Sequence, residues 1–440
     1  MTQLPPRHDF KSIGGAMARG AAWMLAMRWS LRLVGLINTI ILARLLVPAD
    51  FGVVAMATIV VGFVEMLSEA NVDMALLRRA DTARAHWDTA WTVQILTGLG
   101  ATAALWLAAA PMATYYADPR VETVIQIVSL RAALIGFQNI GVVEFRRKLD
   151  FAREFRFWVW RRLSTVVLTL ALVLAIGDWR ALAWGMPLAA LVSVALSFRM
   201  SDYRPRLSVA KFGEIWSFSR WLIVFNTAQF VSRRVDEFVV GGMAGATLMG
   251  HYYVASDVAT MPTREVVLPV GRALIPTFAA LSHDQDELWA AARTVLGVLA
   301  LICFSTGVGL AMVAEDLVRV VLGARWLEAV PFFSLLALAG ALEGIALGLQ
   351  PYFVVRGHER AYAMANLAGV ALLVPAAFAA GHLLSVEAVP LARIATVALM
   401  LGGLIVMLAR VSGAGLAAVM AELWRPLAAA GAMAAALAAL

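Results

Sequence analysis

The sequence predicts an all-α polytopic membrane protein with two parallel six-helix halves around a central cavity, plus a thirteenth C-terminal apolar helix. Of its 440 residues, 62% are hydrophobic, and the mean hydropathy of +0.80 is far above that of a soluble domain. Its apolar stretches reach about 20 residues, the length that a helix needs to cross a bilayer. Their helical period favours helices over the alternating strands of a closed barrel.

Twelve spans and one further apolar stretch are predicted. Residues 1–20 form a cytoplasmic tail without the apolar core and cleavage site of a secretory signal. The N-terminal half covers 21–206, the C-terminal half 207–408, and a cytoplasmic loop with the thirteenth segment 409–440. That segment is still apolar at Leu440, so either the chain ends at the far face or a fourteenth helix follows. The spans are 21–45, 51–73, 88–110, 122–143, 158–177, 181–199, 214–241, 248–276, 292–314, 329–355, 361–383 and 386–408.

The basic residues predict the orientation. Of the 36 Lys and Arg, 22 lie in gaps on the side of the N-terminus and 5 in the opposite gaps. Cytoplasmic loops carry such an excess, so the N-terminus is expected in the cytoplasm. The net charge of +7 is then a topological signature, and no nucleic-acid partner is expected, because the basic run Arg146–Arg162 lies between two spans.

An internal repeat relates the two predicted halves. Asn38–Ala57 (NTIILARLLVPADFGVVAMA) aligns with Asp236–Ala255 (DEFVVGGMAGATLMGHYYVA) at a constant offset of 198 residues, which pairs Gly52 with Gly250. Each block is a span, a short outer turn closed by glycine, and a second span. Six spans separate the copies, so both have the same orientation in the membrane. Transporters with a substrate path between two halves are built in this way.

Charged residues inside spans are the candidate functional residues, because each is costly in lipid and normally faces a bundle interior or a wet cavity. Arg28 and Arg32 share one face of the first span, with no acid within a turn on that helix. Two adjacent guanidiniums suit a phosphate or pyrophosphate, which Arg binds with two parallel hydrogen bonds. The candidate substrate-cavity residues are Arg28, Arg32, Asn226, Gln229, Arg233, Asp236, Arg264 and Arg272.

Structural roles compete with functional ones for several of these charges. Arg233 and Glu237 are four residues apart and can neutralise each other on one helix, as can Glu265 and a neighbouring arginine. Arg131 and Arg393 stand alone in their spans, which fits a cavity role or a helix-packing role.

Signals for an enzyme are absent from the sequence. The six histidines are scattered without metal-ligand spacing, and a single cysteine, Cys303, allows no disulfide within one chain. No GxxxxGK[ST] loop occurs, so the chain is not expected to hydrolyse nucleotide. We therefore expect a transporter with no cofactor, no metal and no catalytic residue.

Six segments resemble the polysaccharide-transporter branch of the multidrug/oligosaccharidyl-lipid/polysaccharide exporter superfamily. They occur in the order and on the sides of the membrane that this family has, although its members usually have 12 or 14 spans. The segments are LARLLVPADFG (Leu42 to Gly52), FRRKLDF (Phe145 to Phe151), SFSRW (Ser217 to Trp221), GHYYVASDVATMP (Gly250 to Pro262), ALIPTFAALSHD (Ala273 to Asp284) and VRGHERAY (Val355 to Tyr362).

The resemblance implies a Wzx-type flippase of the bacterial inner membrane. Such a protein turns undecaprenyl-pyrophosphate-linked oligosaccharide repeat units to the outer leaflet by alternating access. Its partners would be the lipid-linked substrate, membrane lipids and a polysaccharide polymerase or export machinery. Relatives also imply coupling to an ion gradient in some members. The acids that would carry it are Glu65, Glu69, Glu237, Asp257 and Glu265.

Two other functions stay open at this point. A drug/cation antiporter of the same superfamily would present carboxylates to a cation, and the excess of arginines over acids inside the spans argues against it. A membrane-embedded polysaccharide polymerase would need a large outer loop with catalytic groups. The outer gaps are short, the longest being about Glu315 to Glu328.

The predicted orientation can be tested by labelling single cysteines in a Cys303→Ala background. Asp118→Cys and Ala324→Cys should react with an impermeant thiol reagent added outside spheroplasts. Asp81→Cys and Asp202→Cys should react only after permeabilisation, because the basic gaps are retained inside. The opposite labelling pattern would reverse the orientation and the direction of transport.

Overall fold

The computed structural model of the chain is built from α-helices. It describes residues 10–68, 72–78 and 82–439, with the side chains of all except 10–26, 28, 215–225, 228 and 264. No strand occurs among them. The helices are α1 (Phe10–Leu45), α2 (Pro48–Ser68), α3 (Val72–Arg78), α4 (Arg84–Tyr115), α5 (Arg120–Gly136), α6 (Val143–Arg147), α7 (Phe151–Ile176), α8 (Trp179–Met200), α9 (Phe212–Ala259), α10 (Met261–Leu281), α11 (Gln285–Met312), α12 (Ala314–Leu317), α13 (Val330–Gly348), α14 (Gln350–Val355), α15 (Glu359–Leu383), α16 (Val389–Ser412) and α17 (Gly415–Ala438).

Eight helices among the described residues are long and apolar enough to cross a membrane, or nine if one bent pair counts as a span. The bent pair is 120–136 with 140–147, at 69°, so the predicted fourth span is broken near its end. The predicted tenth span lies within one candidate span, Ala324–Val355, in which α13 and α14 adjoin at Leu349. The all-α membrane class is confirmed, and the count of twelve spans plus one stays a prediction.

Polar side chains and glycines set several helix ends. Asp150 begins α7 by accepting a hydrogen bond from the backbone N–H of Arg153, and Asp284 begins α11 by accepting from Asp286 and Glu287. These aspartates satisfy N–H groups that the first turn of a helix leaves unpaired. The bend inside α9 lies at Gly245, whose φ of 72° is in the left-handed region that favours glycine. The predicted seventh and eighth spans therefore meet in a turn of almost no length.

The chain divides into two compact units. The first comprises Met1–Leu46, Val60–Thr114 and Pro119–Thr227, and the second comprises Val47–Ile59, Tyr115–Asp118 and Ala228–Leu440. In the first unit α7 packs against α1 and α8, and α8 also packs against α5. In the second unit α11 packs against α13 and α17, and α16 against α13 and α15. The division of the sequence into halves at residues 206 and 207 stays a prediction.

A segment of the first unit between α8 and α9 is attached to the start of α4. One carboxylate oxygen of Asp88 accepts hydrogen bonds from the Tyr203 hydroxyl at 2.7 Å and from the backbone N–H of Arg206 at 2.8 Å. The hydroxyl of Thr92 accepts from the N–H of Ser208 at 2.8 Å. Burial and the hydrogen bond to Asp88 raise the pKa of Tyr203, so this hydroxyl keeps its proton at physiological pH. The connection is therefore ordered along α4.

The contact between Gly52 and Gly250 in the second unit joins two backbones without intervening side chains. A Cβ on Gly52 would lie 1.7 Å from the carbonyl oxygen of Ala246, and one on Gly250 would lie 1.9 Å from that of Pro48. Pro48 and Ala246, like the two glycines, are 198 residues apart, so the contact has the symmetry of the repeat. The sequence predicts that these glycines close an outer turn. Instead both lie inside helices, where they allow the backbones to touch.

We predict that Gly52→Ala destabilises the protein, because its Cβ meets a backbone carbonyl that cannot rotate away and the two helices must separate. Gly100→Ala is the matched control, since nothing lies within 4 Å of its Cβ position in α4. That control should be neutral or stabilising by up to about 1 kcal/mol, from helix propensity. Thermal unfolding of the purified proteins would measure the difference, and equal midpoints would contradict the importance of this contact.

Candidate functional site

A network of buried charges ties three helices of the second unit together. Asp236 of α9 is 0% exposed and Arg393 of α16 is 3% exposed. The Arg393 guanidinium donates to Asp236 Oδ2 at 2.7 Å and to Glu343 Oε1 of α13 at 2.7 and 2.8 Å. The Tyr252 hydroxyl donates to the same oxygen of Asp236 at 2.6 Å. Arg393 therefore neutralises two carboxylates, which would be costly to keep away from water without a cation.

A second pair lies next to this network on α9. Glu237 is 2% exposed and accepts a hydrogen bond from the Arg234 guanidinium, three residues earlier. Its other oxygen accepts from the Ser256 hydroxyl at 3.3 Å. The neighbouring Asp236 differs, because its Oδ1 is buried and has no hydrogen-bond partner among the described residues. One carboxylate oxygen in this region is thus able to accept a further proton or cation.

The first unit contains a cavity of about 440 Å³ bounded by side chains of α2 to α7. An ion pair joins Glu65 of α2 to Arg131 of α5 at 2.6 Å on its wall. A second pair joins Glu154 of α7 to Arg146 of α6, whose Nε and Nη2 donate at 2.9 and 2.6 Å. Arg161 also lines this cavity, with its guanidinium 4.9 Å from the ring centre of Trp158.

The arginine face of α1 packs against α7. A Cβ on Gly35 would lie 2.5 Å from Nη2 of Arg162, so the absence of a side chain there leaves room for this guanidinium. Arg32 is three residues from Gly35 and shares its helical face. Arg32 is half-buried and interacts within the fold. The structure therefore brings an arginine of α7, which the sequence analysis assigns to a basic gap, to the face of α1 that carries Arg32.

The other predicted site residues fall in different environments. Asp236 and Glu237 are brought together in the buried network of the second unit, and Glu65 lies at the cavity of the first. Gln229, Arg233, Asp257 and Arg272 are exposed, and Asn226 and Glu265 are half-buried. Glu69 and the side chains of Arg28 and Arg264 lie outside the described residues. The network and the cavity are thus two places where predicted site residues meet charged side chains of other helices.

Several residues of these clusters are absent from the sequence-based candidates. Arg131 and Arg393 stand alone among the charges of their own predicted spans, yet each meets a carboxylate from another helix. The pair suggested for Glu237 is Arg233, whereas the bond in the structure comes from Arg234. Tyr252 carries no sequence signal, because its partner Asp236 lies 16 residues away, and nothing in the sequence shows that Arg161 lines the cavity. Only through-space geometry identifies them.

Comparison with known proteins finds similar proteins of polysaccharide biosynthesis. Residues 41–331 match the model of a family described as polysaccharide biosynthesis protein. The chain is 27% identical over 349 residues to the succinoglycan biosynthesis transport protein ExoT of Rhizobium meliloti (strain 1021), covering 76% of this chain and 68% of that protein. It is 22% identical over 372 residues to the lipopolysaccharide biosynthesis protein WzxC of Escherichia coli (strain K12), covering 83% and 75%.

A solved structure has the same fold. The lipid II flippase MurJ, in an inward closed conformation, superposes with a TM-score of 0.74 at 12% identity, covering 94% of this chain and 92% of that one. At this identity the likeness concerns the fold alone. The chain therefore has the helical fold of a membrane transporter, as the sequence predicts.

We predict that Arg393→Ala destabilises the protein by about 3–5 kcal/mol, because it leaves the buried Asp236 and the half-buried Glu343 without their cation. The matched control is Arg319→Ala, since the Arg319–Glu315 pair is more than half exposed on both sides. Exposed pairs contribute about 0–1 kcal/mol. Unfolding of the purified proteins compares the two, and an equal loss for both variants would mean that the network does not stabilise the second unit.

Proposed function

Because the chain belongs to the polysaccharide biosynthesis protein family, we propose that it is a flippase for lipid-linked oligosaccharide repeat units. The family match over residues 41–331 carries this proposal. In it, the protein moves undecaprenyl-pyrophosphate-linked repeat units across the bacterial inner membrane for polysaccharide biosynthesis. It does so without hydrolysing nucleotide, as a transporter and not as an enzyme.

The names of the similar proteins support the substrate class. ExoT is named for succinoglycan transport, WzxC for lipopolysaccharide biosynthesis, and MurJ for flipping lipid II. Two of these names state the biosynthesis of a glycan, and two state transport or flipping. A lipid-linked oligosaccharide combines an anionic headgroup with hydroxyl-rich sugars, so its transporter must offer guanidinium groups for the former and hydrogen-bonding groups for the latter.

The headgroup site in this proposal is formed around the arginines of the first span. Arg28 and Arg32 lie one turn apart on α1, and the guanidinium of Arg162 approaches the same face at Gly35. Guanidiniums bind phosphate oxygens with paired hydrogen bonds and keep their charge at any physiological pH. The remaining substrate-cavity candidates are Asn226, Gln229, Arg233, Asp236, Arg264 and Arg272.

Transport in this proposal proceeds by alternating access with the N-terminus in the cytoplasm. The Gly52–Gly250 contact would close the outer end, because it joins the outer ends of the two repeated segments. A polysaccharide polymerase or export machinery would receive the repeat unit on the far side. Membrane lipids surround the apolar helix faces.

Ion coupling in this proposal uses the buried network of the second unit. Asp236 Oδ1 has no hydrogen-bond partner among the described residues, and an unsatisfied buried acceptor costs about 1–3 kcal/mol. A proton or monovalent cation bound there would remove that cost, with Glu237 beside it. Glu65, Glu69, Asp257 and Glu265 remain further candidates for this role. Glu65 is the weaker one, because Arg131 already neutralises it.

We predict that replacing both Arg28 and Arg32 by Ala abolishes polysaccharide export. Each charge-assisted bond is worth about 1.5–3 kcal/mol, so losing one costs about tenfold or more in affinity. Lipid-linked repeat units should then accumulate in the cytoplasmic leaflet. The double Lys variant should retain partial export, because it keeps the charge and loses the planar fork.

Arg180→Ala is the control for this experiment, because Arg180 is an exposed residue at the start of α8. Protein levels in the membrane are compared by immunoblotting, and repeat units are extracted and assayed by leaflet. Normal export by the double Ala variant at normal membrane levels would overturn the headgroup site.

A further inference from the structure

The cavity of the first unit is formed by neither the arginines of α1 nor the buried network of the second unit, although Glu65 on its wall is also a candidate for ion coupling. It lies within one compact unit, and its walls come from six helices of that unit. Gly98 of α4 and Gly136 of α5 let two of these helices touch, since a Cβ on Gly98 would lie 2.5 Å from the carbonyl oxygen of Ala132. Its volume of about 440 Å³ falls within the range of small-molecule sites, about 300–1,000 Å³.

Among the residues that the structure describes, the charges that line this cavity are balanced. Its carboxylates are Glu65, Asp73 and Glu154, and its guanidiniums are Arg131, Arg146 and Arg161. Two ion pairs are direct, Glu65 with Arg131 and Glu154 with Arg146. The remaining two, Arg161 and Asp73, form no ion pair in the part of the chain that the structure describes. Arg161 instead lies against Trp158 and close enough to Glu65 and Arg131 to interact with both charges.

This balance selects the charge of the ligand. An anion or cation entering a partly buried site of zero net charge would leave one charge uncompensated, which is costly away from water. An alkyl chain would separate the charged groups from water without giving them hydrogen bonds, which is costly for the same reason. A neutral, hydroxyl-rich ligand avoids both costs, because hydroxyls donate to carboxylates and accept from guanidiniums.

The wall also supplies the groups that bind a sugar ring. Planar carboxylate and guanidinium groups pair with neighbouring hydroxyls, and Glu65 Oε1 accepts no hydrogen bond from any described residue. The amide nitrogen of Gln94 is fixed by the carbonyl oxygen of Ile135 at 2.8 Å, which holds this side chain on the wall. Trp158 also lines the cavity, and the guanidinium of Arg161 lies against its ring.

We propose that this cavity is a sugar-binding subsite that takes one or two uncharged sugar residues of the oligosaccharide. This inference rests on the proposed function for the source of the sugar. The subsite lies inside the first unit and binds the sugar residues, whereas the arginines of α1 bind the phosphate groups. It gives the transporter a means of discriminating between repeat units that share one lipid carrier.

The test is protection of a cysteine in the cavity from a thiol reagent. Thr97 lines the cavity, and the single native cysteine, Cys303, is fully buried in the second unit, so Thr97→Cys in a Cys303→Ala background gives a specific label. The probes are maltotriose, as a neutral oligosaccharide, and sodium pyrophosphate, as an anion without sugar. The purified full-length protein is labelled with each probe in increasing concentration.

Maltotriose should slow the labelling of the Thr97→Cys variant in a saturable way, by about tenfold at ten times its dissociation constant. Pyrophosphate should have no effect. Adding Glu65→Gln gives the cavity one net positive charge and removes an acceptor, so protection should pass from maltotriose to pyrophosphate. Asp202→Cys, exposed in the segment after α8, is the control site and should label at one rate throughout.

Other results would overturn the proposal. Protection by pyrophosphate but not by maltotriose, without the Glu65→Gln change, would make the cavity an anion site. Protection by neither would mean that it binds no glycan. Both outcomes leave the proposed flippase function standing, because labelling needs no transport. The proposed flippase function would instead be contradicted by normal polysaccharide export in a strain that lacks the gene, whatever the labelling shows.

Discussion

The guanidinium of Arg393 lies between carboxylates of two other helices, and the second unit depends on this arrangement. Helices in lipid gain little from the hydrophobic effect when they associate, because the acyl chains are as apolar as their side chains. Charges that cannot leave the membrane must then be neutralised inside the fold. Arg393 joins α16 to α9 and α13 in this way. In the first unit the Glu65–Arg131 pair joins α2 to α5 by the same chemistry.

Charge balance also distinguishes the two charged regions by function. The described charges around the cavity of the first unit are balanced and the cavity is accessible, and this combination suits a neutral, hydroxyl-rich ligand. The network of the second unit is closed, and Asp236 keeps one oxygen without a donor among the described residues. Such a position suits a small ion rather than a sugar. The sugar subsite and the coupling site at Asp236 would then lie in different units, so that one can change in evolution without the other.

The sequence predicts the membrane class and the repeat because both are periodic signals along one chain. Apolar stretches, basic gaps and the 198-residue offset need no knowledge of neighbouring helices. The pairs made by Arg131 and Arg393 could not be predicted, because their carboxylates lie on helices 50 or more residues away. Whether Arg233 or Arg234 bonds Glu237 depends on how the helix is rotated about its axis. The sequence does not reveal this rotation, because the polar and apolar residues on that face do not alternate with a clear period. The break in the fourth span could not be predicted for a different reason, namely that the sequence remains apolar across the bend.

The Gly52–Gly250 contact has a consequence for how substitutions combine. Each glycine needs the absence of a Cβ for the same reason, namely that the other backbone occupies the space. A side chain at either position already separates the helices, so a second one finds the space open and costs little more. The two positions are therefore epistatic despite their distance in the sequence, and their effects on stability are less than additive. A lineage that lost one glycine would be released from the constraint on the other, so the two would be kept or lost as a pair.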